Sequence, residues 1–289
     1  MLEKIIDGKK LSLKLKEHIK NRSEDLYKLT GKRPKLTVIM VGNNQASKVY
    51  VSNKEKSCNE VGIHSNVLHY DNIDTDKLIE IIKELNEDKD VNGILVQLPL
   101  SSNIDEKKVI EAIDPIKDVD GFHPYNTGKL WINGDPYFYP CTPYGIYKLL
   151  IENNVEISGK NAVIIGRSNI VGKPIASILL KNDATVTICH SKTSDLSSYT
   201  LKADILIAAV GKPYFVKKDM VKEGAVVIDV GINRIIEDGK NKIVGDVDYN
   251  DVFDKVSKIT PVPGGVGPMT IAVLLENTLK AFMIQNNIK

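Results

Sequence analysis

The stretch NAVIIGRSNIVGKPIASILLKN, residues 161–182, decides the fold class of this chain. A short apolar run ends at Gly166, and an apolar-periodic segment begins near Pro174. A glycine that ends a strand and opens a helix lets backbone N–H groups approach a pyrophosphate, and the helix N-terminus adds a favourable dipole. Pro174 suits the first helical turn, where its missing N–H costs nothing. The stretch therefore predicts a strand–turn–helix unit that is able to bind a nucleotide.

The glycine spacing departs from GxGxxG, because Ser168 replaces the second glycine and Gly172 comes one place late. A tight turn whose glycines serve packing alone is the competing interpretation. The segments downstream favour the nucleotide site, since they alternate between helical patterns and short apolar runs typical of buried parallel strands. Those runs are ATVTICH (184–190), DILIAAVG (204–211) and AVVIDVG (225–231).

The residues that follow two of these runs bear on the cofactor. An NAD-specific site usually places Asp or Glu about 20 residues after the first glycine, where it binds the ribose 2′-hydroxyl. Here the strand ends in Ser191 and Lys192 instead, and Arg167 lies in the glycine turn, so a 2′-phosphate would find partners. This favours NADP, against the alternative that residues 191–193 are a solvated loop. Backbone near Ile232, after a later strand, could hold the nicotinamide end, whereas Asp229 could equally be a structural cap.

Outward from this unit, the N-terminal half repeats the same alternation. The apolar runs LTVIMV (36–41), SNVLH (65–69) and GILVQL (93–98) are separated by helical patterns at 46–62 and 75–87. A β-α-β-α-β order predicts parallel strands with right-handed crossovers. Turn-forming pairs crowd residues 114–141, which we interpret as a long functional loop, and further helices are predicted at 8–30 and 269–284. The fold class is therefore α/β.

Composition excludes several classes of protein. The 289 residues are 42% hydrophobic and 26% charged, and the net charge of +2 gives no sign of a nucleic-acid partner. No apolar run reaches the roughly 18–20 residues that span a bilayer, and the N-terminus has no secretory pattern. Three cysteines without CxxC spacing fit reduced thiols, so we expect a cytoplasmic protein. The histidines form no ligand cluster, so no metal is expected.

Four polar residues are candidates for chemistry. Tyr50 and Lys54 lie four apart in a predicted helix, and such a pair can activate water if burial lowers the pKa of the lysine. The same spacing is also typical of a solvated helix face. Gln97 interrupts an apolar strand and is either hydrogen-bonded structure or a ligand contact. Asp120 precedes Gly121 and is first of all part of a turn.

Taken together, the segments closely resemble the bifunctional methylenetetrahydrofolate dehydrogenase/methenyltetrahydrofolate cyclohydrolase family. The stretches that carry the resemblance span nearly the whole chain in the family's order. They are YVSNK (50–54), GILVQLPL (93–100), KDVDGFHPYNTGKL (117–130), PCTP (140–143), GRSNIVGKP (166–174), CHSKT (189–193), DVGIN (229–233), GDVD (245–248) and TPVPGGVGPMT (260–270).

The resemblance implies two linked reactions: oxidation of 5,10-methylenetetrahydrofolate with NADP+, then hydrolysis of the methenyl product to 10-formyltetrahydrofolate. It implies that Lys54 is the catalytic lysine, Tyr50 orients the folate, Gln97 tunes the lysine and Asp120 holds the pterin. The implied cofactor contacts are Gly166, Arg167, Ser168, Ser191 and Ile232. The implied folate contacts, besides the four catalytic residues, are Leu98, Val262, Pro263, Gly264 and Gly265.

The family architecture implies two α/β domains. Residues 1–140 and 269–289 would form the catalytic, folate-binding domain, to which the C-terminal helix returns. Residues 141–268 would form a Rossmann-like NADP-binding domain. Family members are commonly homodimers through that domain, so a homodimer is the expected state.

Two other functions remain to be weighed. A different two-domain dehydrogenase should carry a dedicated acid/base and a clamp for a substrate carboxylate, and the sequence has no such constellation. A nucleotide-sensing module with a degenerate site should have lost Lys54, Gln97 or Asp120, and all three are present.

Overall fold

A computed structural model describes residues 2–237 and 239–288 of the chain. The predicted domain bounds start at Met1 and end at Lys289, which both lie outside the described residues. Helices and strands alternate through most of the chain. The strands are β1 (Lys35–Val41), β2 (His64–Tyr70), β3 (Gly93–Val96), β4 (Asn161–Ile165), β5 (Thr185–Cys189), β6 (Ile205–Ala208), β7 (Val226–Asp229), β8 (Asn233–Glu237), β9 (Lys240–Val244) and β10 (Lys258–Ile259). The α-helices are α1 (Gly8–Thr30), α2 (Gln45–Glu60), α3 (Thr75–Glu87), α4 (Glu106–Glu111), α5 (Pro124–Trp131), α6 (Cys141–Glu152), α7 (Gly172–Lys181), α8 (Leu196–Thr200), α9 (Tyr249–Val252) and α10 (Val266–Gln285).

The chain divides into two compact units. The three-stranded unit comprises Leu13–Cys141 and Ile271–Lys289, and the five-stranded unit comprises Met1–Ser12 and Thr142–Thr270. The N-terminal residues lie with the five-stranded unit because Ile6 N donates to Ile259 O at 2.9 Å. The assignment of a folate-binding and an NADP-binding domain to bounds 1–140, 141–268 and 269–289 stays a prediction.

In the three-stranded unit, the strand order is β2-β1-β3 and both pairings are parallel. Val38 of β1 pairs with Val67 on one side and with Leu95 on the other. Branched apolar side chains of β1 and β3 pack against α3 and form a buried core there. The predicted parallel β-α-β-α-β arrangement is confirmed, and it brings the carboxyl ends of β1 and β3 to the same edge.

The predicted long loop at 114–141 is wrong in part, because α5 lies within it. Pro124 occupies the first helical turn, and His123 caps the helix by accepting a hydrogen bond from Tyr125 N on Nδ1 at 3.0 Å. Asn133, with φ +56°, follows the helix end. The turn-forming pairs therefore bound a short helix, and their density hid it from a sequence interpretation.

The five-stranded unit has a parallel sheet in the order β10-β7-β6-β4-β5. The chain moves from β4 to one side to form β5 and to the other side to form β6, β7 and β10. The direction of winding reverses between β4 and β6, and in open α/β sheets ligands bind outside the carboxyl ends of the strands at such a point. The predicted α/β class is confirmed in both units.

An antiparallel hairpin of β8 and β9 follows β7, and the sequence analysis did not predict it. Its strands are polar and mostly exposed, so they lack the apolar signal of the buried strands. Among the described residues, no helix combines the length and apolar character needed to cross a membrane.

Helix α10 starts at Val266, one turn before its predicted start, and its C-terminal part packs in the three-stranded unit. Asn277 on this helix is buried, and its Nδ2 donates to Val119 O at 2.8 Å and to Tyr139 O at 3.1 Å. One amide group thereby ties the helix to both ends of the segment that contains Asp120.

We expect Asn277→Ala to lower the free energy of unfolding by about 1–3 kcal/mol, because Val119 O and Tyr139 O each lose an amide donor. Asn286→Ala is the matched control, since Asn286 donates to Phe282 O from an exposed position just beyond the helix. Urea unfolding measured by circular dichroism checks both variants. Equal stability of the two variants would contradict the anchoring role of Asn277.

Candidate active site

The start of α2 fixes two of the candidate residues. Asn44 caps the helix, and its side chain accepts hydrogen bonds from Ala46 N at 2.8 Å and Ser47 N at 3.2 Å. Tyr50 and Lys54 then follow one turn apart on the same helix face. Tyr50 is half-buried and Lys54 is only 7% exposed. The solvated-face interpretation is therefore wrong for Lys54.

Gln97 meets Lys54 directly. Strand β3 ends at Val96, and Gln97 N still donates to Ile39 O at 2.8 Å, so the residue is held at the edge of the sheet. Lys54 Nζ donates to Gln97 Oε1 at 2.9 Å, and Gln97 Nε2 donates to Leu98 O at 2.7 Å. The side chain of Gln97 is thus fixed with its oxygen toward the lysine.

Asp120 supplies the countercharge. Burial lowers the pKa of Lys54, and the negative charge of Asp120 raises it. Burial likewise raises the pKa of the half-buried Asp120, and the charge of Lys54 lowers it. Burial thus moves the pKa values of the two groups toward each other, and shifts of this kind are typical of functional sites.

The backbone around Asp120 is held by buried polar groups on both sides. The Asp118 carboxylate accepts hydrogen bonds from Phe122 N, His123 N and Asn126 Nδ2 at 3.2, 2.9 and 2.8 Å. Burial raises the pKa of Asp118 to about 7, against these hydrogen bonds. Gly121 has φ +76°, and a Cβ there would lie 2.6 Å from Pro140 N, so the turn after Asp120 requires glycine.

Cys141 is a neighbour of this site that the sequence analysis did not single out. Its thiol donates to Val119 O at 3.3 Å, and it is buried at the start of α6. Burial, and then the charge of Asp120, raise the pKa of Cys141 well above that of an ordinary thiol. Cys141 is therefore neutral and contributes packing beside Asp120. Its place in the PCTP segment was the one signal in the sequence.

In the five-stranded unit, the glycine turn after β4 packs closely against the protein's own backbone. Gly166 has φ +133°, and a Cβ there would lie 2.3 Å from Ala209 O. A Cβ on Gly172 would lie 2.2 Å from Gly166 O, so the late glycine serves the packing of the turn itself. Arg167 follows with an exposed side chain. These contacts support the packing interpretation of the glycines, and nucleotide binding by this turn stays a prediction.

The side chain of Ser168 hydrogen-bonds the backbone where the turn enters helix α7. Its Oγ accepts hydrogen bonds from Val171 N at 3.1 Å and Gly172 N at 3.3 Å. These two amides are therefore satisfied within the protein. The hydroxyl proton of Ser168 is left to donate, and phosphate oxygens accept such bonds.

The turn after β5 presents the hydroxylic and basic side chains. His190 N donates to Thr193 Oγ1 at 2.8 Å and Lys192 N donates to His190 Nδ1 at 3.2 Å, so the turn is internally braced. Ser191 and Lys192 are exposed. Gly166 N donates to Cys189 O at 2.9 Å, which joins this turn to the glycine turn.

The remaining predicted residues of the five-stranded unit lie in the loop after β7 and in the loop before α10. Ile232 is 47% exposed directly after Gly231. Asp229 accepts hydrogen bonds from backbone amides and is a structural group, as one of the two interpretations held. In the loop before α10, Pro263 is exposed, and Gly264 O accepts a hydrogen bond from Lys9 N at 2.8 Å.

Gly265 is required by packing within the protein. A Cβ on Gly8 would lie 1.8 Å from Gly265 O, and a Cβ on Gly265 would lie 2.6 Å from Pro261 O. Its backbone is thus tightly packed rather than open. In the described part of the chain, no group of three or more His, Cys, Asp or Glu side chains is placed to bind a metal ion.

Two models of known protein domains match this chain, one in each half. Residues 6–120 match the catalytic domain of tetrahydrofolate dehydrogenase/cyclohydrolase, and residues 140–286 match its NAD(P)-binding domain. The chain belongs to this family. The resemblance read from the sequence motifs is therefore confirmed.

Individual relatives cover nearly all of the chain. The bifunctional protein FolD of Chlorobium limicola is 55% identical, over 99% of both chains. The crystal structure of FolD from Campylobacter jejuni has a TM-score of 0.94 at 53% identity and covers 97% of this chain and 98% of its own. The Trypanosoma brucei enzyme, crystallised with NADP cofactor and inhibitor, has a TM-score of 0.93 at 36% identity and covers 97% of both chains.

We expect Asp120→Asn to lower the pKa of Lys54 further, because the substitution removes the charge that raises it while the burial remains. Glu55→Gln is the control, since Glu55 is exposed on the same helix. An NMR titration of labelled lysine side chains measures the pKa in each variant. An unchanged pKa in Asp120→Asn would contradict the coupling of the two groups.

Proposed function

We propose that the chain is a bifunctional one-carbon folate enzyme. It oxidises 5,10-methylenetetrahydrofolate to the methenyl form with NADP+, and then hydrolyses that product to 10-formyltetrahydrofolate. The observation that carries this proposal is the buried Lys54 ammonium, hydrogen-bonded to Gln97 and electrostatically coupled to Asp120, in a chain of this family.

The oxidation requires little acid–base chemistry from the protein. Bound NADP+ would supply the acceptor for the hydride that leaves the methylene bridge of the substrate. The two nitrogens that flank this carbon in the substrate stabilise the cation that remains. The protein therefore has to bind and orient both molecules, and we assign Tyr50, Leu98 and Asp120 to the folate.

Hydrolysis needs proton transfers, and we assign them to Lys54. Water adds to the methenyl carbon and loses a proton, and opening of the ring returns a proton to the nitrogen that leaves. A lysine whose pKa burial lowers is able to accept the first proton and supply the second. Gln97 keeps the amine oriented through its 2.9 Å hydrogen bond.

Residues of the five-stranded unit fit NADP. Gly166 lies directly after the carboxyl end of β4, and Ser168 keeps a hydroxyl proton for a phosphate oxygen. Arg167 and Ser191 are exposed on neighbouring turns, which suits the 2′-phosphate. We assign the exposed Ile232 to the nicotinamide end, and Val262, Pro263, Gly264 and Gly265 to the folate side. The tight packing of Gly265 limits its part to backbone contacts.

The expected assembly is a homodimer in the cytoplasm. Exposed apolar side chains in the five-stranded unit support self-association, namely Leu180, Tyr199, Leu201, Ile236 and Ile243. The three free, buried cysteines suit a reducing compartment. Light scattering of the purified protein tests the dimer directly.

The wild-type protein should form NADPH from methylenetetrahydrofolate and NADP+, measured as absorbance at 340 nm. We expect Lys54→Met to lower methenyl hydrolysis by about two orders of magnitude or more, because the proton-transfer group is removed, while part of the dehydrogenase activity remains. Lys56→Met, an exposed change on the same helix, should leave both rates unchanged. Absence of NADPH formation in the wild type would overturn the proposed function, and wild-type hydrolysis in Lys54→Met would overturn the role of the lysine.

We expect Arg167→Ala to weaken NADP+ binding by about tenfold or more, with a smaller effect on NAD+, because a charge-assisted hydrogen bond to the 2′-phosphate is lost. Lys173→Ala is the control, since Lys173 is an exposed cation of the same turn that donates to Asn169 Oδ1. Dissociation constants from calorimetry measure both cofactors. Equal losses for NADP+ and NAD+ would show that Arg167 does not contact the 2′-phosphate.

A further inference from the structure

A buried carboxylate binds the backbone of the loop after β6, and it takes no part in the proposed reactions. Asp246 is fully buried. Its Oδ2 accepts hydrogen bonds from Val210 N at 2.6 Å and Gly211 N at 3.0 Å, and its Oδ1 accepts one from Lys212 N at 2.9 Å. Three successive amides that converge on one point form a nest, the backbone arrangement that binds anions. Here the anion is supplied by the protein itself.

The same carboxylate also holds the segment that carries Ile232. Asn233 Nδ2 donates to Asp246 Oδ1 at 2.9 Å. A Cβ on Gly231 would lie 2.3 Å from Asp246 Oδ1, so the two segments are in close contact. Asp246 therefore joins the loop after β6 to the loop after β7 through hydrogen bonds to both.

A second buried carboxylate fixes Asp246 in turn. Asp229 Oδ1 accepts hydrogen bonds from Gly231 N and Asp246 N, each at 2.9 Å, and its Oδ2 accepts one from Val247 N at 2.9 Å. A Cβ on Gly245 would lie 1.8 Å from Asp229 Oδ2, so this segment also requires glycine. The two carboxylates form a linked pair. Each of them accepts hydrogen bonds from several backbone amides.

This pair of carboxylates lies on the β6 and β7 side of the point, between β4 and β6, where the direction of winding of the sheet reverses. The glycine turn follows β4, and Ala209, just before the nest, donates its N–H to Ile165 O at 2.8 Å. Ser191 and Lys192 follow β5 on the other side of β4, where the 2′-phosphate is assigned. A dinucleotide across the carboxyl edge of the sheet then has its adenosine half near β5 and its nicotinamide half near β6 and β7.

We propose that Asp246 is a positioning residue for the nicotinamide half of the cofactor, through the nest at residues 210–212 and the side chain of Asn233. This inference rests on the proposed function of the five-stranded unit. By occupying the nest, the carboxylate prevents these amides from competing for the cofactor's phosphates and holds the two loops in one conformation. The adenosine half is bound by other turns and does not depend on it.

The experiment separates the two halves of the cofactor. Asp246→Asn replaces one acceptor oxygen by an NH₂ group, which leaves buried amides without an acceptor. We expect the dissociation constant of NADP+ to rise about tenfold or more, while that of adenosine 2′,5′-bisphosphate changes less than about twofold. Methenyl hydrolysis should stay at the wild-type rate, because Lys54 and Gln97 lie in the three-stranded unit. Equal weakening of both ligands, or no weakening of either, would overturn the proposal.

Asp204→Asn is the matched control. Asp204 precedes β6 at the opposite edge of the sheet, and its carboxylate also accepts a backbone amide, from Asn161 N at 2.9 Å. The affinity ratio of the two ligands should stay at the wild-type value in this variant. If Asp204→Asn changes this affinity ratio as much as Asp246→Asn does, the effect is a general loss of structure and the proposal is overturned.

A second variant decides the question if Asp246→Asn does not fold. Asn233→Ala keeps the carboxylate and its three amide donors and removes only the hydrogen bond to the Ile232 segment. We expect the NADP+ dissociation constant to rise about threefold to tenfold, which is the size of one hydrogen bond, while the constant for the bisphosphate stays unchanged. An unchanged NADP+ constant would overturn the proposal. A wild-type protein that binds NADP+ but forms no NADPH would contradict the proposed function instead, and the affinity ratio would still test Asp246.

Discussion

The burial of one ammonium group is the constraint on which the three-stranded unit depends. A charged amine taken out of water is costly unless partners compensate it. Lys54 has two compensating groups, the oxygen of Gln97 at 2.9 Å and the charge of Asp120. Each partner needs its own support: the end of β3 holds Gln97, and the Asp118 and Gly121 turn holds Asp120. The fold thus maintains a lysine with a lowered pKa at the edge of the sheet.

The five-stranded unit meets a similar cost with carboxylates. Asp229 and Asp246 are buried, and each is compensated by several backbone amides rather than by a cation. Burial raises the pKa of Asp229 to about 7 in spite of these hydrogen bonds. The two units therefore use buried charge differently. In one, a lysine is buried against an amide oxygen and a carboxylate, and in the other, carboxylates shape the loops at the carboxyl ends of the strands.

Particular residues show how far the sequence could be interpreted. The apolar runs predicted most buried strands, because full burial between helices demands branched apolar side chains. The same logic missed α5 and the hairpin of β8 and β9, whose short or polar segments carry no such signal. For Lys54, helical spacing alone favoured a solvated face, and only the family motifs pointed to chemistry. Cys141 was missed because a single thiol carries no spacing information.

The sequence by itself determined the α/β class, the parallel direction of the strands, the family and the candidate residues, since these depend on periodicity and on local motifs. Tertiary structure alone decided that Lys54 is buried against Gln97, 43 positions away, and that Ser168 Oγ accepts a hydrogen bond from Val171 N. It also decided that Asp246 fills a nest 34 to 36 positions earlier in the chain. Such contacts join residues far apart in sequence, and their pKa values and hydrogen bonds depend on which groups the fold brings together and removes from water.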